Sequence, residues 1–514
     1  MAEDKPGAAQ DLSYRLSTQD ASFIYAESQS GPLHIGSIGV FEGRVDFAAC
    51  IAHIEERIHQ VPRYRQRIAE APFNLAHAMM EDDPGFAVTN HVFRHELPDG
   101  LSEEDAIAEM MRDFQKPLDR KRPLWELHNY ENFLGQHTAL MWKVHHCLVD
   151  GVSGVELLKV MYDFRAEPEP IPEPKPWVPA KPSGLMKRFA LAMRDRVRGA
   201  VDNAVRTVIE VAEEPSTFVE QARLVGEAGR VMSQLMTRPI MAAPWNGVPV
   251  TQERVLAWSK QSFADFRAIR SAFGGSVNDV VLAMLTEGAA RYLDHHGYKV
   301  EGEQLCIGCP VNVRHREEKS SLGNRVSMMF PVAPAAPMDV VERLKLINEE
   351  TERIKAAGSA QALESLLTLG DNLSPVLIGI GSRIATTAID AAGSFARIAG
   401  WKPRPNGFAL PAVGINFIAT NVPGVQVPQY MNGHICLEMI PLVPLGATLG
   451  YGVAILSYNR YLYFGMIAEP RVMPDVALMK QYVDEAFEEL KRRCEDQLGA
   501  SLGEAYGQYA RAGG

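Results

Sequence analysis

The first third of the chain alternates between helical and strand-like patterns of apolar residues. Apolar residues at helical spacing predict helices over 47–66 and 103–115, and a period-two run predicts a strand over 138–147. Prolines then occur at positions 168, 170, 172, 174, 176, 179 and 182. Proline at alternate positions prevents helix formation and favours an extended spacer, so the pattern predicts the end of a domain at about residue 167.

The stretch after the prolines has the pattern of a long amphipathic helix. Over residues 185–212 apolar side chains recur at intervals of four, and five basic residues between Lys187 and Arg198 accompany a single acidic residue, Asp195. A basic amphipathic helix can lie on an anionic membrane or lipid droplet, or it can pack its apolar stripe on a domain and leave its charges in water. Both interpretations stay open from the sequence.

The rest of the chain, from about Val255, again mixes helical and strand patterns. Apolar spacing predicts helices over 276–295, 340–357 and 475–494, with strands between them. The chain therefore divides into two α/β halves and a connector. The predicted division is an N-terminal domain over 12–167, a proline-rich and helical connector over 168–250 and a C-terminal domain over 251–500.

One segment of the second half is almost free of charge. Between Arg404 and Arg460 the only formally charged residue is Glu438. The longest apolar stretch in this segment is interrupted by Pro441 and Pro444, whereas a membrane-spanning helix needs about 20 apolar residues and rarely carries several such breakers. Short strands buried on both faces explain the segment better than a membrane span.

Composition, charge and cysteine content narrow the class of protein. The 514 residues are 46% hydrophobic and 22% charged, which is typical of a globular protein, and the net charge of −11 argues against nucleic acid as the main partner. Six irregularly spaced cysteines indicate reduced thiols rather than a disulfide framework. Residues 1–12 lack the apolar core of a secretory signal. These features predict a cytoplasmic protein.

The segment from His145 to Gly151, HHCLVDG, is the strongest local indication of chemistry. It follows the alternating run 139–144, which predicts a strand leading into an Asp-Gly turn. Because side chains alternate across a strand, His145 and His146 point to opposite faces, and only one of them can face a given cavity. A neutral imidazole suits general-base catalysis at neutral pH, whereas the structural alternative is a pair of core histidines.

Spacing within this segment limits the roles of its other residues. Asp150 lies four residues after His146, about 13 Å away along an extended strand, so Asp150 is better placed to hold the turn than to complete a catalytic triad. Zinc binding is disfavoured because adjacent histidines diverge.

The pattern of two histidines, three residues, aspartate and glycine resembles the signature of the CoA-dependent acyltransferase superfamily, which includes chloramphenicol acetyltransferase. Further motifs, in chain order from residue 20 to about 490, resemble the bacterial wax ester synthase/diacylglycerol acyltransferase family. They are Asp20-Ala-Ser-Phe23, Pro32-Leu-His-Ile-Gly36, Pro117-Leu-Asp-Arg120, Arg122-Pro-Leu-Trp-Glu126, Asn278-Asp279, Pro310-Val-Asn-Val-Arg314, Asn421-Val-Pro-Gly424 and Ser457-Tyr458.

The resemblance implies a fold and a reaction. The fold is α/β, with two chloramphenicol-acetyltransferase-like mixed-sheet domains and a substrate tunnel between them. The reaction transfers a fatty acyl group from acyl-CoA to a long-chain alcohol or diacylglycerol, and it gives wax esters or triacylglycerols. Acyl-CoA is then a substrate, and neither a cofactor nor a metal is expected.

The resemblance also implies roles for individual residues. His146 would remove the proton of the alcohol, Asn278 would donate to the oxyanion, and Asp150 would hold the turn. From physics alone, the start of a helix explains Asn278 equally well, a core turn explains residues 123–125, and strand ends explain the other asparagines. The remaining candidates are His145 and Gly151 beside the base, and Pro123, Leu124, Trp125, Asn416 and Asn421 for substrate binding.

Other functions stay open at this point. A free-standing condensation-type acyltransferase needs a carrier-protein partner, and no carrier domain is evident; a soluble-alcohol acyltransferase needs only a shorter acceptor pocket. A non-catalytic lipid-binding or droplet-coating protein has no use for a base beside an oxyanion donor, so His146, Asp150 and Asn278 argue against it. We expect a monomer or homodimer with acyl-CoA and its acceptor as partners, in the cytoplasm or peripherally at the inner membrane or lipid droplets.

Overall fold

The structure is a computed structural model, and part of the chain is described in it. Asp150 and Gly151 lie outside the described residues, as does most of the predicted helix over 185–212. The described residues are 13–72, 76–149, 154, 157–158, 161–168, 170–171, 177–184, 186–191, 193–194, 226, 230, 240–247, 249–312, 326–358, 414–446 and 448–499.

Helices and strands alternate through both halves of the chain. The helices are α1 (Thr18–Ala26), α2 (Phe47–Arg57), α3 (Glu103–Phe114), α4 (Phe263–Phe273), α5 (Val277–His295), α6 (Val340–Ala357) and α7 (Val476–Leu498). The strands are β1 (Tyr14–Arg15), β2 (His34–Glu42), β3 (Gln66–Ala69), β4 (Met79–Asp82), β5 (Val92–Glu96), β6 (Trp125–Phe133), β7 (His137–His145), β8 (Val255–Ser262), β9 (Gln304–Asn312), β10 (Val326–Met329), β11 (Val332–Pro334), β12 (Phe417–Val422), β13 (Tyr430–Met431), β14 (His434–Leu442), β15 (Tyr451–Tyr458) and β16 (Tyr461–Ala468).

The helix predicted over 47–66 is shorter than its pattern suggested. α2 ends at Arg57 and is followed by two 3-10 turns, Ile58–Gln60 and Pro62–Arg65. Pro62 has no backbone N–H and its ring clashes with the preceding turn, so the α-helix cannot continue through it. The other predicted helices within the described residues, α3, α5, α6 and α7, agree with their patterns to within a few residues at each end.

A six-stranded mixed sheet carries the histidine motif. Its strand order is β13-β14-β2-β7-β6-β5, so two strands from late in the chain complete a sheet that otherwise comes from the first half. β14 runs antiparallel to β2, with Leu442 opposite Gly36 and Cys436 opposite Phe41, whereas β5 and β6 are parallel. The predicted bounds divide the chain at residues 167 and 251, but this sheet contains strands from both sides of that division.

The second half forms its own mixed sheet of seven strands, in the order β10-β9-β12-β15-β16-β8 with β11 beside β9. β12 is parallel to both β9 and β15, and the other pairs are antiparallel. The mixed α/β class and the two-sheet architecture predicted from the sequence are confirmed. A separate three-stranded sheet has the order β1-β4-β3.

Helices α5 and α7 cover the second sheet in close contact with each other. A Cβ atom at Gly288 of α5 would lie 2.8 Å from the backbone nitrogen of Val483 in α7, so only glycine allows this approach. Both residues belong to helices whose apolar faces form one core with the sheet. The tight crossing fixes α5, and the beginning of α5 carries Asn278 and Asp279.

The uncharged segment forms strands, as predicted. It contributes β14 and β15, and every residue of β15 is buried. None of the helices among the described residues is long and apolar enough to cross a membrane. All six cysteines lie among the described residues and are free and buried, which confirms that they form no disulfide framework.

Candidate active site

Strand β7 leads into the two histidines, and its side chains alternate between the two faces of the sheet as the sequence predicts. Trp142 and Val144 pack in the core that contains α1 and α2, whereas Met141 packs on the other face of the sheet, against α3. β7 ends at His145, and His146 is the first residue of the turn that follows. The change from strand to turn at this point places the two imidazoles in different surroundings.

His146 is half-buried and lies against an aromatic side chain. Its ring stacks on that of Phe23 in α1, with 4.0 Å between the ring centroids and an interplanar angle of 8°. Its backbone N–H donates to the carbonyl oxygen of Leu33 at 2.9 Å. The ring therefore has one face covered, and the main chain beside it is held by the segment that leads into β2.

His145 is fully buried and shapes the turn from inside. Its backbone N–H donates to the Leu124 carbonyl at 3.0 Å, and its Nδ1 accepts the N–H of Cys147 at 3.1 Å. Because Nδ1 accepts, a neutral His145 carries its proton on Nε2, which lies 3.3 Å from Oε1 of Glu27. His145 is thus a positioning residue that holds the backbone presenting His146.

Glu27 is a site residue that sequence reasoning missed. Its carboxylate accepts the N–H of Leu33 at 3.0 Å and two guanidinium bonds from Arg120, at 3.0 and 2.7 Å. Burial alone would raise the pKa of Glu27, but interactions with His145 and Arg120 outweigh it and hold the pKa at about 2. An available signal was its position just after α1, because an acid at a helix C-terminus opposes the helix dipole.

Pro123, Leu124 and Trp125 are all buried and support the motif from the neighbouring strand. The indole N–H of Trp125 donates to the Tyr64 carbonyl at 2.8 Å, and its ring stacks on His91 with 4.6 Å between centroids. The described contacts of this segment are those of a core turn. Substrate lining by these residues stays a prediction.

Asn278 and Asn421 meet where β12 ends beside the start of α5. Nδ2 of Asn421 donates to Oδ1 of Asn278 at 3.3 Å, and both residues are half-buried. Ser276 and Asp279 form a reciprocal capping box that fixes the first turn of α5 around Asn278. Because Asn421 orients the amide oxygen of Asn278, the amide nitrogen of Asn278 is left to face other groups as a donor.

Asn416 is fully buried, and its side chain is engaged within the fold. Its Nδ2 donates to the Met241 carbonyl at 2.7 Å and to Oδ1 of Asn246 at 2.9 Å, and its Oδ1 accepts the N–H of Cys306 at 2.8 Å. Both amide hydrogens are therefore used before any substrate is considered. The geometry therefore favours a structural role for Asn416 over a role in substrate binding.

The motif turn and the asparagine pair border one core between the halves. Leu148 and Val149, which follow the histidines, belong to a buried cluster with Val425 and Tyr458 from the second half. Val422, the neighbour of Asn421, packs against the same cluster. Asp150 and Gly151 lie outside the described residues, so their part in holding the turn stays a prediction. Among the described residues, the group of side chains that could hold a metal ion lies elsewhere, beneath α3.

Known proteins match this chain over most of its length. Residues 16–281 match the wax ester synthase/diacylglycerol acyltransferase catalytic domain, and residues 322–491 match the WS/DGAT C-terminal domain. A Mycobacterium tuberculosis protein named "Probable diacyglycerol O-acyltransferase tgs1" is 28% identical over 483 residues, which cover 92% of this chain and 95% of that protein.

Solved structures share the fold at lower identity. A wax ester synthase/diacylglycerol acyltransferase from Marinobacter aquaeolei VT8 matches with a TM-score of 0.61 at 20% identity, over 94% of this chain and 100% of that chain. The starter condensation domain of rhizomide synthetase RzmA matches with a TM-score of 0.55 at 14% identity, over 93% and 94% of the two chains. At these identities the likeness shows the two-sheet fold alone.

Proposed function

Since this chain belongs to the wax ester synthase/diacylglycerol acyltransferase family, it is an acyl-CoA-dependent O-acyltransferase, and we propose that His146 is the general base that activates its alcohol substrate. The observation that carries the proposal is the placement of His146. Its main chain is fixed through Leu33, its neighbour His145 is locked by Glu27, and its ring is stacked on Phe23.

The proposed reaction begins with proton transfer. The His146 imidazole takes the hydroxyl proton while the alcohol oxygen attacks the thioester carbonyl carbon of acyl-CoA, a step in which general-base catalysis contributes typically 10²–10⁴-fold in rate. The imidazolium that forms lies on the face of the Phe23 ring, where the ring quadrupole stabilises positive charge. The stacked pair thus favours the protonated intermediate that the reaction creates.

The tetrahedral intermediate carries an oxyanion that needs a donor. We assign this role to the amide nitrogen of Asn278, with Asn421 as the positioning residue that orients the amide. Collapse of the intermediate breaks the carbon–sulfur bond, and the CoA thiolate leaves with the proton from His146. The products are free CoA and an ester, and the reaction needs neither a cofactor nor a metal because the imidazole moves the only proton.

The acceptor in this proposal is a long-chain alcohol or diacylglycerol, reached through a tunnel between the halves. The buried cluster that joins Leu148 and Val149 to Val425 and Tyr458 supports an apolar acceptor, since it borders the motif turn. The proposal assigns Pro123, Leu124 and Trp125 to the acyl-binding side, and it keeps the sequence prediction for Asp150 and Gly151, which lie outside the described residues.

Peripheral contact with the inner membrane or a lipid droplet forms part of the proposal. Met186, Phe189 and Met193 on the connector are 79%, 38% and 40% exposed, with Lys187 and Arg194 among them. Exposed apolar side chains mixed with basic ones suit an anionic lipid surface. Such contact would bring the enzyme to substrates that are insoluble in water.

The test is thiol release from palmitoyl-CoA by the purified protein, measured with hexadecanol, with diacylglycerol and without acceptor. We expect acceptor-dependent release that falls by roughly 10²–10⁴-fold in His146→Ala. His137→Ala, at the opposite end of β7, is the matched control and should keep the activity of the unmodified protein.

The outcomes separate the alternatives. Comparison of thiol release with hexadecanol and with diacylglycerol shows which of the two activities, wax ester or triacylglycerol synthesis, is greater. Acceptor-dependent release that survives His146→Ala would place the base elsewhere. Binding of palmitoyl-CoA without release in any arm would instead favour a lipid-binding protein.

A further inference from the structure

A second group of imidazole and carboxylate side chains lies beneath α3, away from His146. His95 comes from β5, His128 from β6 and Asp113 from the last turn of α3. One donor atom of each residue lies within 4.8 Å of those of the other two. The acyl-transfer mechanism uses none of these groups.

The sheet brings the two imidazoles together. β5 and β6 are parallel neighbours with Phe93 opposite His128 and His95 opposite Tyr130, so His95 and His128 project from the same face. Their rings stack with 5.2 Å between centroids, and Nε2 of His95 lies 3.0 Å from Nδ1 of His128. Two imidazole nitrogens at this separation share either a proton or a cation.

Neighbouring groups orient the donors in the way a metal site requires. Nε2 of His128 lies 3.2 Å from Oε2 of Glu126, so Glu126 can accept its N–H and leave the lone pair of Nδ1 directed at His95. Metal-binding histidines commonly donate their other N–H to a carboxylate in this manner. The hydroxyl of Tyr130 donates to Oδ2 of Asp113 at 2.8 Å and fixes that carboxylate as well.

We propose that His95, Asp113 and His128 bind a Zn²⁺ ion: Nδ1 of His128 faces the His95 ring at 3.0 Å, and Oδ2 of Asp113 lies 3.6 Å from Nδ1 of His95. Two imidazoles and one carboxylate suit zinc, whereas Ca²⁺ and Mg²⁺ prefer ligand sets made of oxygen. The side chains of His95, Asp113 and His128 are 29%, 16% and 8% exposed, so the ion reaches them from solvent and a water can complete a tetrahedral set.

Two lysines border the group, and they differ in solvent exposure. Nζ of Lys116 lies 2.6 Å from Oδ1 of Asp113, but its side chain is 68% exposed and can turn into solvent when a cation binds. Nζ of Lys143 is buried and stays paired with Glu126 at 3.0 Å, so its charge is already balanced. Lys116 therefore competes with the metal, while Lys143 and Glu126 act as a neutral support.

The site links the end of α3 to two neighbouring strands of the sheet that carries the histidine motif. An ion held there ties the end of α3 to β5 and β6, and the segment after α3 leads to Arg120, which holds Glu27. The ion is thus a structural tie behind the active site, and it takes no part in proton transfer.

The experiment titrates the full-length, chelator-treated protein with Co²⁺, followed by its visible absorption, and then with Zn²⁺ in competition. We expect one equivalent of Co²⁺ with the intense absorption of a tetrahedral site, displaced by Zn²⁺, and a Zn²⁺-dependent rise in Tm. His95→Gln should weaken binding by tenfold or more, and Glu126→Gln by about 10–100-fold. His296→Gln, beside Asp475 but in no three-donor group among the described residues, is the matched control and should change nothing.

Lys116→Ala keeps every ligand and the exposed surface around it, so it tests the proposal without risk to the fold. We expect Lys116→Ala to bind Co²⁺ more tightly than the unmodified protein. Absence of binding in the unmodified protein would overturn the proposal. So would equal Co²⁺ affinity in the unmodified protein and in His95→Gln, provided that circular dichroism shows both folded.

Discussion

At the scale of single residues, the segment that carries the proposed base is held by a carboxylate that lies in none of the sequence motifs. Glu27 is contacted by His145 on one side and by Arg120 on the other, and Arg120 lies 93 positions further along the chain. The histidines and Asn278 could be found in the sequence because their chemistry shows in the residue type and in the local spacing. The Glu27–Arg120 pair could not, because its partners meet only when the end of α1 reaches the loop after α3.

We expect Glu27→Gln to lower the free energy of unfolding by roughly 2 kcal/mol and to reduce acyl transfer, because hydrogen bonds to a charged group are lost and His145 loses its anchor. The pKa of Glu27 is depressed from 4.5 to about 2, so its contribution to stability is complete above pH 4.5 and is lost as the pH falls toward 2. Urea unfolding at several pH values measures the effect. The difference in the free energy of unfolding between Glu27→Gln and the unmodified protein should decrease as the pH falls from 4.5 toward 2.

Glu109→Gln is the control for this prediction. Glu109 pairs with Arg112 on the surface, with side chains 42% and 66% exposed, and exposed pairs contribute little. A Glu27→Gln protein that unfolds and turns over substrate like Glu109→Gln would show that the carboxylate has no positioning role.

At the scale of elements, the beginning of α5 is a firmly held helical turn that carries Asn278, the proposed oxyanion donor. Asp279 is buried, and its carboxylate accepts from the N–H and hydroxyl of Ser276 and from the hydroxyl of Thr351. The sequence predicted this helix to within one residue because a capping residue precedes an apolar run. The pattern did not reveal that Thr351 of α6 locks the same turn.

We expect Asp279→Ala to cost about 1–2 kcal/mol of stability and to reduce kcat more than KM, because the turn that presents Asn278 loosens. Asp46→Ala removes the N-cap of α2, where the exposed Asp46 accepts the N–H of Ala49 at 2.8 Å, and it leaves the first turn of α5 unchanged. Thermal unfolding should show a lower Tm for both variants, with the larger decrease for the buried Asp279, while steady-state kinetics should show a lower kcat for Asp279→Ala alone. Equal kcat in the two variants would contradict a link between this cap and the oxyanion donor.

At the scale of the whole molecule, the two halves share a sheet. The helices, the buried strands of the uncharged segment and the mixed α/β class all followed from local pattern. The pairing of β14 with β2 did not, because a period-two run states which face of a strand is buried and says nothing about which distant strand lies beside it. The division of the chain at residue 251 therefore cuts through a sheet.

We expect a fragment of residues 1–250 to show no cooperative unfolding when produced alone, because it lacks β13 and β14 and leaves β2 as an open edge. Co-production with residues 251–514 should restore a folded, active complex. Circular dichroism during heating, together with the palmitoyl-CoA assay, measures both results. A cooperative, soluble fragment 1–250 would show that the first half folds without its late strands.

The shared sheet also has a consequence during protein synthesis, because β2 is made long before its neighbour β14. The imidazole of His434, at the start of β14, bonds the carbonyl of Glu42, at the end of β2, across 392 positions of the chain. At about 5–20 residues per second, β2 has left the ribosome for roughly 20–80 s before its neighbour exists. Throughout that interval the β2 segment, with Ile38, Val40 and Phe41, lacks its β14 neighbour, and an unpaired edge of this kind favours aggregation with other chains.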